Sequence, residues 1–211
     1  MSEYAWVTQA PNDERLIKPI WSDAALDDDK KARDLERVIK NNSRRGISLP
    51  ASDFPTRVAG NREPTDPPTI YKNLPHFFTS SWIFVSQELA DVIGKYDLAG
   101  GLYPVDVYQE DRETLVPGTY FHLNIGAAKD SLIPEKSPGV GDPYGMGVLL
   151  FNAPFNDDEI TLSDAALSGP DIWVDPNLSS AIFFSDRLWS AMVSAKVHTP
   201  FRAKRCRIFQ N

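Results

Sequence analysis

The residues of this chain that could take part in chemistry are three histidines, one cysteine and a short run of acids. His122 alternates with Tyr120 and Asn124 in a segment that reads as a strand, which places the three side chains on one face. A histidine in such a place could act as a general base in a pocket, although a structural histidine is the commoner case. A small-molecule-processing enzyme with its site at these three residues is therefore the alternative function.

The other reactive residues favour structural roles. None of the histidines has a second His or Cys at the spacing of a metal motif, and residues 157–159 lack the spaced acids of a calcium loop. Cys206 lies between two arginines, which would lower its thiol pKa, but no histidine is close to it in the sequence. We therefore expect no metal, no cofactor and no catalytic residue.

The elements that must position these residues include a repeat. Residues 82–108 and 181–207 align at a constant offset of 99 positions. Each copy has an apolar strand, a serine, apolar residues at helical spacing and a second strand. Ser86 and Ser185 stand at the expected helix N-caps, and the flanking glycines that a nucleophile elbow requires are absent. The repeat predicts two similar strand–helix–strand units with capping serines.

The rest of the chain predicts an α+β fold in one domain. Residues 27–40 carry acid–base pairs at i, i+4 spacing, which predicts a charged surface helix. Strands outnumber helices and occur in runs broken by single helices, so we expect a mixed, mostly antiparallel sheet. We interpret residues 1–211 as a single domain, in which a peripheral segment at 1–69 wraps a core at 70–209.

Five segments of the chain resemble one bacterial family. They are LPHFF at 74–78, WIFVSQEL at 82–89, LYPVDV at 102–107, YFHLNI at 120–125 and IFFSDRL at 182–188. These segments are similar to motifs of the predicted immunity proteins encoded beside polymorphic toxins, a former domain of unknown function, over roughly residues 70–209. The resemblance implies a protein that binds a cognate bacterial toxin, neutralises it by occlusion and performs no catalysis.

The charge distribution suggests where such a toxin would bind. The net charge is −7, and residues 150–186 contain seven acids and no Lys or Arg, whereas residues 187–211 contain six bases and no acid. An acidic surface disfavours nucleic acid and anionic membranes and suits a basic toxin; a solvated acidic loop is the simpler reading. Aromatic anchors inside a charged rim are typical of interfaces. The predicted toxin-binding residues are Phe151, Phe155, Asp157, Asp158, Glu159, Asp171, Trp173 and Asp175.

The compartment is predicted from the same composition. No apolar run approaches the roughly 20 residues that cross a bilayer, and the first residues do not resemble a signal peptide. Cys206 is the one cysteine, so an internal disulfide is impossible and a reducing compartment fits best. We expect a cytoplasmic protein, and the sequence leaves its oligomeric state open.

Overall fold

The computed structural model describes residues 4–22, 29–61, 67, 69–145, 147–152 and 154–209. Its helices are α1 (Asp29–Arg44), α2 (Gln87–Ile93) and α3 (Asp186–Ser194). Its strands are β1 (Ala5–Thr8), β2 (Ile20–Ser22), β3 (Arg57–Gly60), β4 (Phe77–Thr79), β5 (Ile83–Ser86), β6 (Gly101–Tyr108), β7 (Tyr120–Asn124), β8 (Val140–Gly141), β9 (Leu150–Phe151), β10 (Thr161–Ser163), β11 (Ile172–Trp173), β12 (Ile182–Ser185) and β13 (Lys204–Phe209). The helix predicted at residues 27–40 is α1, and residues 27–28 lie outside the described residues.

The strands form two large sheets and one separate pair. The first sheet has the order β2-β3-β6-β7-β5-β4 and the second has the order β10-β13-β1-β12-β11, while β8 pairs with β9. Neighbouring strands are antiparallel except for β3 with β6 and β10 with β13. The predicted α+β class with mixed, mostly antiparallel pairing is confirmed, with the strands divided between two sheets.

The two sheets repeat one topology. We call the first sheet with α1 and α2 the first half, and the second sheet with α3 the second half. The order β3-β6-β7-β5-β4 corresponds to β10-β13-β1-β12-β11, and the one parallel pair stands at the same place in each. The predicted repeat units, β5-α2-β6 and β12-α3-β13, are confirmed and form the centre of this larger correspondence.

Strand β1 completes the second half from the other end of the chain. In the first half, β7 lies between β6 and β5; in the second half, β1 takes that place and is antiparallel to both β13 and β12. Ala5 and Val7 are fully buried as a result. The division into residues 1–69 and 70–209 stays a prediction, but β1 is central rather than peripheral because its backbone pairs along both edges.

The first sheet closes on itself through residues 17–22. Ile17 forms a parallel bridge with Thr79 at the end of β4, and the Lys18 amide donates to the Thr79 carbonyl oxygen at 2.7 Å. Further along the same segment, β2 pairs with β3 at the other side of the sheet. Both outer strands therefore have partners, which covers the edges where unwanted strand pairing begins.

The second sheet closes in the same way through a segment that follows β7. Ala128 forms a parallel bridge with Val174 directly after β11, and the Lys129 amide donates to the Val174 carbonyl oxygen at 3.0 Å. Leu132 then bridges β10 at the other side of the sheet. Each half is thus a closed sheet with an interior of its own.

Alternation along the repeated strands fills three cores. Successive side chains of a strand point to opposite faces, so Val85 and Phe184 lie in a central core shared by the two halves. Their neighbours Phe84 and Phe183 lie instead in the interiors of their own closed sheets. Helices α2 and α3 pack against each other and bury their apolar stripes in the central core. The rigid framework that positions every candidate site is built from these three cores.

Candidate functional site

The two serines of the repeat cap their helices. The Ser86 hydroxyl accepts the Leu89 amide proton at 3.4 Å, and the Ser185 hydroxyl accepts that of Leu188 at 3.2 Å. Both serines are in extended backbone conformation directly before the first helical residue, which is the geometry of an N-cap. The predicted capping role is confirmed in both halves.

Each capping serine is held by a polar residue at the same place in its half. The Ser86 amide donates to the His76 carbonyl oxygen at 3.0 Å, and the Ser185 amide donates to that of Asp171 at 2.8 Å. The side chains meet as well, because His76 Nδ1 lies 2.9 Å from Ser86 Oγ. Similarly, the Ser185 hydroxyl donates to Asp171 Oδ1 at 2.5 Å. His76 and Asp171 are therefore equivalent in position and differ in side-chain type.

Asp171 is fully buried and belongs to this cap rather than to an exposed interface. Arg187 donates to its two carboxylate oxygens at 2.5 and 2.6 Å, and the Asp97 amide donates at 3.1 Å. Burial alone would raise the pKa of Asp171, but the bonds from Arg187 and Ser185 outweigh it and lower the pKa below the ordinary aspartate value. The prediction that Asp171 contacts a toxin is corrected, because its carboxylate is fully buried and already accepts hydrogen bonds from Ser185, Arg187 and the Asp97 amide.

Two further predicted interface residues are also buried. Trp173 has no exposed surface and stacks on Phe183 with ring centroids 5.7 Å apart, inside the second closed sheet. Asp175 is almost fully buried, and its carboxylate accepts the amide protons of Ser131 and Leu132 at 2.9 and 2.8 Å. The predictions that Trp173 and Asp175 contact a toxin are corrected for the same reason, because both side chains are buried and stabilise the segment that closes the sheet.

Lys129 is a site residue that sequence reasoning missed. Its ammonium lies 3.6 Å from the centre of the Trp173 ring and donates to the carbonyl oxygens of Ala166 and Pro170 at 3.3 and 2.8 Å. Burial lowers its pKa to about 8. No local motif surrounds it, so only its contacts with residues some 40 positions away identify it.

The acidic turn at residues 156–159 is the part of the predicted interface that remains on the surface. Asp157 is exposed, and Asp158 and Glu159 are half-buried. The Arg205 guanidinium donates to Asp158 Oδ1 at 3.0 Å, and the Arg205 amide donates to Asp157 at 2.8 Å. The hydrogen bonds from Arg205 lower the pKa of Asp158. The basic end of the chain thus neutralises part of the acidic stretch that precedes it.

The two predicted aromatic anchors support this turn. Phe151 and Phe155 stack with ring centroids 4.6 Å apart. Phe151 is half-buried, whereas Phe155 is buried and lines a cavity of about 440 Å³. Charged side chains of that cavity are Asp13, Arg15, Arg202 and Lys204, of which Asp13 and Arg15 pair with each other; the surface beside the turn therefore carries a small excess of positive charge. The prediction that Phe155 is an exposed interface anchor is corrected, because its ring is buried.

His122 lies in the interior of the first closed sheet, not in an open pocket. It has no exposed surface and is surrounded by the rings of Phe54, Trp82 and Phe84. Its Nε2 donates to the Pro55 carbonyl oxygen at 2.9 Å, which leaves Nδ1 without a proton and without a partner among the described residues. Burial lowers the pKa of His122 to about 4. The imidazole is therefore neutral at pH 7.

The side chains of Tyr120 and Asn124 also form hydrogen bonds with backbone carbonyl groups. The Tyr120 hydroxyl donates to the Pro117 carbonyl oxygen at 2.7 Å, and the Asn124 side-chain amide donates to that of Leu49 at 2.9 Å. Neither of these residues, nor His122, lines either cavity that we describe. The prediction of an open pocket around these three residues is thus corrected, because the closed sheet packs their face against aromatic rings.

A cleft of about 310 Å³ lies where the two halves meet. Its walls include two pairs of equivalent residues, namely Thr79 with Val174 and Ile83 with Ile182. The last turns of α1 add charged and polar side chains on one side. Since the described part of the second half has no helix at the corresponding place, the two walls of the cleft contain equivalent residues, while its charged side chains, Lys40 and Arg44, come from one side only.

No protein-family model matches the chain, and no curated protein matches it. Within the described residues there is no group of three or more His, Cys, Asp or Glu side chains placed to hold a metal ion. In the same residues, no helix is both long enough and apolar enough to span a membrane.

Proposed function

We propose that this protein acts in the bacterial cytoplasm as an immunity protein that binds a cognate toxin and neutralises it by occlusion. The observation that supports the proposal is the position of the five segments that resemble the immunity family. They supply strands β4 to β7, strand β12 and the starts of α2 and α3. The resemblance therefore covers four strands of the first half and, in the second half, β12 with the start of α3, which are parts that a shared fold would keep.

A partner-specific interface belongs in segments outside the motifs that the family shares. The acidic turn at 156–159 is such a segment, because it lies outside all five motifs and keeps exposed acidic surface. Arg205 holds the turn in one conformation, so little conformational entropy would be lost when a partner binds. We propose that Asp157, Glu159 and the exposed part of Phe151 contact the toxin.

Overall charge would assist the encounter. The chain carries a net charge of −7, which attracts a basic toxin over distances of about one Debye length, roughly 8 Å at physiological salt. Long-range attraction of this kind raises the association rate more than it raises the final affinity. The rate of complex formation should consequently fall as salt increases.

The test is a pull-down with the tagged full-length chain from its native host, followed by co-expression with the protein encoded by each adjacent gene. The proposal expects recovery of a neighbouring toxin and loss of toxicity on co-expression. If no adjacent product is bound, or if toxicity persists in the presence of the folded chain, the proposal is wrong.

A charge reversal then tests the interface. Asp157→Lys should weaken toxin binding by about tenfold or more, because it places a like charge against a basic partner. Glu113→Lys is the matched control, since Glu113 is exposed on the turn after β6 in the other half and the substitution changes the net charge equally. Equal effects of the two substitutions would show that the toxin does not contact the acidic turn.

A further inference from the structure

We propose that the cleft between the two halves binds a small molecule that has an apolar body and one carboxylate or phosphate group. This site lies apart from the acidic turn, and the proposal does not depend on toxin binding. Three observations support it, concerning the walls of the cleft, its cations and its hydroxyls.

The walls provide an apolar enclosure for the body of a ligand. Ile83 and Ile182 contribute from the two halves, and Ile125, Val174 and Leu178 continue the surface. The volume, about 310 Å³, is at the lower end of the range of roughly 300–1,000 Å³ that small-molecule sites occupy. The enclosure therefore suits a short aliphatic chain better than a peptide segment or a nucleotide.

The cations select the charge of the ligand. Lys40 and Arg44 are the charged residues that line the cleft, and no acid lines it. Neither makes an ion pair with a described carboxylate. The acid that acts on Lys40 through space is Glu36, whose carboxylate accepts a hydrogen bond from Ser81. In a protein of net charge −7, two cations beside an apolar cleft favour an anion.

The hydroxyls point to an oxygen-bearing group. Five residues with hydroxyl side chains line the cleft, namely Ser43, Thr79, Ser80, Ser81 and Ser180. The Thr79 and Ser80 oxygens are buried and have no hydrogen-bond partner among the described residues. Buried polar atoms in native proteins nearly always have one, and a carboxylate or phosphate oxygen would supply it. Together with the cations, these groups complete a site for an anionic head.

The experiment is calorimetric titration of the full-length chain with decanoate, decyl phosphate, decanol and acetate. The proposal expects decanoate or decyl phosphate to bind at least about tenfold more tightly than decanol, since charge-assisted hydrogen bonds need the anion. The tighter of the two anions identifies the head group. Acetate should not bind measurably because it lacks the apolar body. Equal binding of decanol and both anions, or no binding of either anion, overturns the proposal.

Substitutions confirm the location. Arg44→Gln should weaken anion binding by about tenfold, whereas Arg37→Gln removes the same charge from α1 at a residue that does not line the cleft and should leave binding unchanged. Ile17→Asp should abolish binding, because Ile17 lines the cleft and is 45% exposed, so the change adds a repelling charge without emptying a core. Wild-type affinity in Arg44→Gln, with a melting curve equal to that of Arg37→Gln, would place the ligand elsewhere.

Discussion

The two halves of the molecule have the same framework and different polar residues. In the first half, Phe84 lies opposite His122 in the register of β5 and β7; in the second half, the equivalent Phe183 lies opposite Val7 of β1. One interior thus holds an uncharged histidine where the other holds a valine. The comparison shows that apolar alternation fixes the fold, while individual interior positions accept polar groups that find a hydrogen-bond partner.

The two helix caps also share one geometry while the polar residues beside them differ. His76 and Asp171 occupy equivalent places beside the capping serines, and each lies near an ionisable residue of the first helical turn. His76 Nδ1 lies 3.9 Å from Glu88, and Asp171 binds Arg187 at 2.5 Å. The second cap is buried and bidentate, whereas the first is partly exposed. We therefore expect the second cap to contribute more to stability.

The largest expected effect tests whether the two closed sheets are equivalent. Phe84→Ala and Phe183→Ala should each lower the free energy of unfolding by about 4 kcal/mol, because both rings are fully buried and stacked on a second ring. Urea denaturation followed by circular dichroism measures this quantity. Val193→Ala, at an exposed position of α3, is the control and should change it by less than about 0.5 kcal/mol. A difference of more than about 2 kcal/mol between the two phenylalanines would break the equivalence.

The next effect concerns the two caps. Asp171→Ala should cost about 3 kcal/mol, because it leaves Ser185 and the Asp97 amide without their acceptor and Arg187 without its partner. His76→Ala should cost about 1 kcal/mol, since its side chain is partly exposed and water can replace it. Both are measured by urea denaturation at pH 7. Equal losses would contradict the ranking of the caps.

A pH titration sharpens the comparison between His122 and Val7. The pKa of His122 is lowered to about 4 in the folded protein, while an unfolded histidine titrates near 6.5. As the pH falls from about 6.5 to about 4, the unfolded chain takes up this proton first, so stability decreases over that window. The loss should be about 2 kcal/mol at pH 5 relative to pH 7.

The control for this titration is His122→Leu, which has a similar volume and no titrating group. Between pH 7 and pH 5, the free energy of unfolding of this variant should change by about 2 kcal/mol less than that of the wild type. Identical pH profiles of wild type and His122→Leu would show that the buried imidazole is not the source of the acid sensitivity.

The smallest effect tests the capping serines. Ser86→Ala and Ser185→Ala should each lower the free energy of unfolding by about 1 kcal/mol, because each removes one acceptor from the first turn of a helix. The double variant should lose the sum, about 2 kcal/mol. Restoration by Ser86→Asp, measured by the same denaturation, separates capping from packing in the first half, since aspartate caps equally well. Ser185→Asp should not restore stability, because it places a second carboxylate against the buried Asp171. A catalytic role for Ser86 would require a change in some activity that Ser86→Asp does not restore.

The sequence predicted the framework better than the candidate site. The strand–serine–helix units were predictable because period-2 alternation, helical spacing and an N-cap are all local patterns around Ser86 and Ser185. The exposure of Trp173 and Asp175 was not predictable from such patterns, because an alternating strand has two faces and either can be buried. In the second half both faces are covered, one by the closed interior and the other by the central core.

The amino-acid sequence by itself determined the strands and helices of the two repeat units, the charged helix α1 and the two caps, because these depend on residues within one or two turns of each other. Only the tertiary structure decided that β1 completes the second half, that Ile17 and Ala128 close the two sheets and that a cleft forms between them. These features join residues that are distant in the chain. Their pairing results from competition among all possible long-range contacts, which no local pattern records.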